Sequence, residues 1–209
     1  MKALIDAEGI KSCDAIGHSN GGVYLQGINQ QYSGMIEKVV FSHSLTSMDK
    51  NDVYTINKSE RNVYRLMRVI LKILPVSILT NQLVKMVVND NFYLKVGKEA
   101  TQQLKALIKK EVRKITKQDM YVMATCMEDF LFNHIFTSKP YEAHPENVLI
   151  ADSPSDHVAN PMQRAEMLKL CPRAQTYHFT KGGHVTLINC RDEYFSMLHK
   201  FFAGQKVEG

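Results

Sequence analysis

Nothing in the sequence approaches the ~18 uncharged apolar residues that a membrane-spanning helix requires, so no integral membrane helix is expected. The opening Met1-Lys2-Ala3-Leu4-Ile5-Asp6 meets an acidic side chain too soon to be the apolar core of a secretory leader. Cysteine is sparse: Cys13, Cys126, Cys171 and Cys190 stand far apart, with no CxxC pair and no metal-ligand spacing. That pattern argues against a disulfide framework and reads as reduced thiols in a cytoplasmic protein. Internal repeats and low-complexity tracts are also absent. A net charge of +5 is too small to select a polyanionic partner. The stripe Lys105, Lys109, Lys110, Arg113, Lys114 and Lys117 has helical spacing but lacks the interleaved aromatics on which bases would stack. It reads as the solvated face of a helix, and nucleic acid is not an expected partner.

What remains is an ordinary globular composition, 44% apolar and 22% charged over 209 residues, enough for one sizeable core with an inserted subdomain. Met1 to Glu8 predicts the tail of an amphipathic helix, with Gly9 just past its end. Ile10 to Ile16 predicts a first strand and Asn20 to Tyr32 a helix. Met35 to Ser42 predicts a second strand, whose apolar run suits a parallel sheet covered on both faces. From about Met48 to His144 strand signals vanish and helical periodicity takes over, as in Val63, Leu66, Met67, Ile70, Leu71 and Leu74 before Pro75. The α/β pattern then resumes, with strands at Asn147 to Ala151 and Gln175 to Phe179. The helices are Met162 to Leu170 and an amphipathic Arg191 to Phe202. Strands alternating with helices imply a mostly parallel sheet with right-handed crossovers. The expected division is an α/β core over 1–48 and 146–209, with a helical insertion over 49–145.

The chemistry centres on Gly17-His18-Ser19-Asn20-Gly21, which fits G-x-S-x-G, a strand-to-helix turn that lifts a serine hydroxyl clear of the sheet. Small neighbours let the helix turn back beneath the serine. A serine hydroxyl is a poor nucleophile at neutral pH and needs a base in hydrogen-bond reach, itself oriented by a third group. On this architecture the partners follow in the order serine, acid, histidine, each in a loop after a strand. Asp156 lies in Asp152-Ser153-Pro154-Ser155-Asp156, directly after Val148-Leu149-Ile150, and His184 follows the last strand in Lys181-Gly182-Gly183-His184.

With these segments in that order the chain resembles the α/β-hydrolase fold family over essentially its whole length. Leu4 to Ile10 leading into Gly17-His18-Ser19-Asn20-Gly21-Gly22 is similar to the family's elbow region. Val148-Leu149-Ile150 with Asp156 and Pro161 resembles its acid strand and loop. Gly183-His184-Val185 before an amphipathic helix resembles its histidine segment. The helical stretch lies where many members carry a cap over the active site. The resemblance implies Ser19 as nucleophile, His184 as general base and then acid, and Asp156 as the orienting carboxylate. The backbone N–H of Asn20 would donate to the oxyanion. Two departures stand out. Members place several strands and helices ahead of the elbow, including the loop with the second oxyanion donor, whereas this chain begins just before it. An incomplete version of a longer hydrolase is therefore expected, with the first strand an exposed apolar edge open to self-association. The other is Ser153, where the family often has glycine.

Alternatives remain for each position. Ser19 also fits an ordinary turn, and His184 a surface histidine beside Gly-Gly. Asp152 and Asp49 rival Asp156 as the acid. His18, His43 and His157 are candidate pocket residues, His18 fitting a packing role better than that of a second base. The expected activity is hydrolysis of a small-to-medium carboxylic ester or related acyl or amide bond, with no metal or organic cofactor. The alternatives are a non-catalytic hydrolase-like protein that binds a small ligand or partner, or an inactive fragment.

Overall fold

The computed structural model describes residues 2–47, 62, 65–87, 98–156, 158–159 and 161–207. In chain order the elements are α1 (Lys2–Ala7), β1 (Cys13–His18), α2 (Asn20–Gln31), β2 (Ile36–Ser42) and a helical stretch at 65–73 (α3). Then come α4 (Val76–Val87), α5 (Lys98–Val112), α6 (Lys117–Asn133), β3 (Val148–Asp152) and α7 (Pro161–Leu170). The chain closes with β4 (Gln175–His178), a single turn α8 (Thr186–Asn189) and α9 (Arg191–Phe202). These residues divide into two compact units, Met1–Asp52 with Ile135–Gly209, and Val53–His134.

The first unit is built on a four-stranded sheet in the order β1-β2-β3-β4, every pair parallel. Its centre is dry: Val40, Phe41, Leu149 and Ala151 are completely buried, as expected of parallel strands covered on both faces. Val40, Leu149 and Ala151 pack with Phe179 and with Tyr194, Met197, Leu198 and Phe201 of α9. Helices α2 and α7 are neighbours, Gln26 Nε2 lying 3.8 Å from Met167 Sδ, and they pack against β1, β2 and β3. β1 forms the sheet edge, where Ile16 is 46% exposed.

One boundary differs from the apolar pattern. Pairing starts at Cys13, whose N–H donates to the Met35 carbonyl at 3.0 Å, and runs on to His18 opposite Ser42. Register with β2 decides the strand, so Ile10 lies outside it and the two residues ahead of Ser19 lie inside.

The second unit is helical. Leu71 of α3 packs against Met120 and Ala124 of α6. A capping box starts α6: the Thr116 hydroxyl accepts from the Asp119 N–H, and the Asp119 carboxylate accepts from the Thr116 N–H. The helical run ends at Asn133, and the Phe136 N–H donates to the Ser47 carbonyl at 2.7 Å, inside the sheet unit. Among the described residues no helix is long and apolar enough to cross a membrane. These residues include all four cysteines, none in a disulfide.

Leu149→Ala is expected to lower unfolding stability by about 2–5 kcal/mol through the cavity left at the sheet centre, read from denaturant melts of the two proteins.

Candidate active site

Ser19 sits between the end of β1 and the start of α2 with φ 52° and ψ −122°. A side chain in that backbone region costs on the order of 1–3 kcal/mol. The surroundings hold it there: its N–H donates to the Ser42 carbonyl at 2.8 Å, and its carbonyl accepts from the Gly22 N–H at 3.1 Å and the Ser44 hydroxyl at 3.0 Å. The Ser19 hydroxyl makes no capping bond to α2. Asn20 opens that helix, and first-turn N–H groups have no partner within the helix.

The glycines carry unequal weight. A Cβ on Gly17 would lie 2.5 Å from the Gly22 backbone, and one on Gly22 would run into the Ser44 side chain. Gly21, the last residue of the sequence pattern, would meet nothing within 4 Å. The close approach of strand to helix therefore falls on Gly17 and Gly22.

Asp156 follows β3 with a fully buried side chain. Its Oδ2 accepts from His184 Nδ1 at 2.9 Å and from His43 Nδ1 at 2.8 Å. Its Oδ1 accepts from the backbone N–H groups of Val158 at 2.8 Å and Ala159 at 3.1 Å. Burial alone would raise this carboxyl's pKa. Hydrogen bonds from His184 and His43, with the charge of His184 and the Ala159 N–H, outweigh it and hold the group well below the usual carboxylate range.

His184 lies in a turn, Gly183–Val185, that follows β4. Gly182 and Gly183, at φ 108° and 59°, reverse the chain there. Because an ionised carboxylate only accepts, the His184 hydrogen belongs on Nδ1, and Nε2 is the basic nitrogen. Its side chain is 19% accessible, so the pair grades from a dry acid to a histidine that solvent reaches. The His18 ring, next to Ser19, lies 5.1 Å from that of His184 and 5.6 Å from that of His43. Elbow and His–Asp pair thus share the carboxyl end of the sheet. Burial, then the neighbouring His184 and His43, lowers the His18 pKa to about 4, against a smaller pull from Asp156. This favours a neutral packing ring over a second base.

The remaining candidates fall elsewhere. Asp152 pairs with His178 Nδ1 at 2.6 Å rather than with His184. Asp49 and His157 lie outside the described residues. The His43 side chain is fully buried against Asp156, with Nε2 2.8 Å from the Thr186 hydroxyl, and the residue lines a small cavity with Asp152 and Arg164. No local signal announces its bond to Asp156, since its partners are distant in sequence. His43, Asp156 and His184 are the group among the described residues whose atoms lie close enough to converge on a metal ion. Both imidazoles hydrogen-bond the Asp156 carboxylate.

No family model matches the chain, and no curated protein matches it. Solved structures do. An enol-lactonase from Burkholderia xenovorans superposes with TM-score 0.66 at 16% identity over 96% of this chain and 69% of that one. The chain has an α/β-hydrolase fold. The meta-cleavage product hydrolase CumD from Pseudomonas fluorescens gives 0.63 at 18% identity over 96% and 68%. An esterase from Exiguobacterium antarcticum gives 0.67 at 12% identity over 96% and 70%. The likeness covers the strands that position the candidate site, and at these identities it speaks for the fold alone.

Two measurements test this description. Gly17→Ala should lose about 1–3 kcal/mol to backbone collision, whereas Gly21→Ala should hold or slightly gain stability, as alanine does in a helix; thermal melts separate them. His18 should titrate near 4 by imidazole NMR. Since its folded value lies below the ordinary 6.5, the unfolded chain takes up the proton first. Stability then falls as pH drops from about 6.5 to about 4, and His18→Gln should lessen that fall.

Proposed function

We propose that this chain is a serine hydrolase that cleaves a small-to-medium carboxylic ester through an acyl-enzyme. The observation that carries this is the Asp156–His184 hydrogen bond at the carboxyl end of the sheet that presents the strained Ser19 turn. Ser19 Oγ attacks the ester carbonyl as His184 Nε2 takes its proton, and buried Asp156 holds the ring and stabilises the imidazolium. The Asn20 N–H donates to the oxyanion. Collapse of the intermediate sends the leaving alkoxide out with the proton from His184. Water, activated by the same nitrogen, then releases the acid and restores Ser19. The names enol-lactonase and esterase among proteins of like fold agree with an ester-type substrate.

The test is hydrolysis of a short p-nitrophenyl ester by the chain and by Ser19→Ala and His184→Ala. Each substitution is expected to lower turnover by at least ~10³-fold. A fluorophosphonate probe should label the chain but not Ser19→Ala; labelling that survives the substitution rules Ser19 out as nucleophile. A folded chain that neither turns over ester nor takes the probe overturns the serine-hydrolase reading.

A further inference from the structure

Asp156 carries a second imidazole that the hydrolytic sequence never uses. We propose that His43 is a positioning residue: its Nδ1–H pins Oδ2 of Asp156 and moderates that oxygen's hold on His184. The proposal rests on the hydrolase reading of the site.

Three observations support it. First, both imidazoles address the same oxygen, His43 at 2.8 Å and His184 at 2.9 Å. An oxygen that already accepts one N–H is a weaker acceptor for the next, so His43 bears directly on how strongly the acid stabilises the His184 imidazolium. Second, the His43 ring is itself fixed. Its Nε2 is 2.8 Å from the Thr186 hydroxyl, whose residue is fully buried, and its ring stacks on Phe179 with centroids 6.5 Å apart. With a carboxylate on one side, the ring hydrogen must be on Nδ1. Third, the backbone is bent to place it. His43 has φ 51°, uncommon for a residue with a side chain, while its N–H donates to the Ala151 carbonyl at 2.8 Å. The titratable and charged groups near it are His18 from β1, Asp156 from the loop after β3, His184 from the turn after β4 and, around the cavity it lines, Asp152 of β3 and Arg164 of α7. Asp152 and His178, at the ends of β3 and β4, are paired with each other.

The test compares His43→Leu with His43→Asn. The asparagine amide places an N–H where Nδ1 stands and tolerates positive φ; leucine offers no donor. The readouts are the pH dependence of kcat/KM and the 15N NMR titration of the His184 ring. His43→Leu is expected to raise the midpoint of the kcat/KM pH profile, and His43→Asn to leave it near the parent value. A purely structural role would lower activity at every pH without moving the midpoint. Equal midpoints in all three proteins, or equal shifts in the two variants, overturn the proposal. If His43→Leu does not fold, ring 15N shifts of the unsubstituted protein still decide: hydrogen on Nδ1 of His43 supports the assignment, and hydrogen on Nε2 alone overturns it. Failure of the hydrolase reading appears separately, as ester turnover that Ser19→Ala leaves intact or that is absent from the parent chain.

Discussion

The carboxylate of Asp156 is the point on which the site depends. A buried charge is costly unless fully hydrogen-bonded, and this one is met by His43, His184, Val158 and Ala159. The donors come from three parts of the chain: the end of β2, the turn after β4, and the acid's own loop. Each loop is anchored by a parallel strand whose carboxyl end faces the same way, so the sheet order β1-β2-β3-β4 brings the donors to one carboxylate. Removing β2 or β4 from that register would leave the charge short of a partner.

The elbow works by a different economy of forces. Its geometry is steric: Gly17 and Gly22 let strand and helix touch, and Ser44 and Ser42 hold the backbone of Ser19 in a region that side chains avoid. The acid site gains from polar satisfaction, whereas the turn absorbs strain that the sheet core offsets. The two meet at His18, in which burial beside two other imidazoles keeps the ring from acquiring charge near neutral pH.

The parts legible in the sequence are those set by local pattern. The apolar runs of β2 and β3 and the amphipathic α9 all follow from residues close in the chain. Asp156 was distinguishable from Asp152 only by its place in a loop, and the structure separates them by partner: His184 for one, His178 for the other. His43 was unreadable because its partners lie 113 and 143 positions away. The start of β1 and the greater weight of Gly22 over Gly21 were hidden for the same reason, since both depend on pairing or contact across the turn. The helical segment gave its periodicity away, but its last turn was overrun: tertiary pairing of Phe136 with Ser47 draws the following residues into the sheet unit.

Under the proposed hydrolase reading, position 19 sets folding and chemistry against each other. At φ 52° glycine would be the more comfortable residue, so substitution there trades a hydroxyl for relief of backbone strain. Drift under selection for stability alone runs toward glycine at this one site, while demand for a nucleophile runs against it. The residue found at the equivalent turn in related chains is therefore a record of which demand has acted on them.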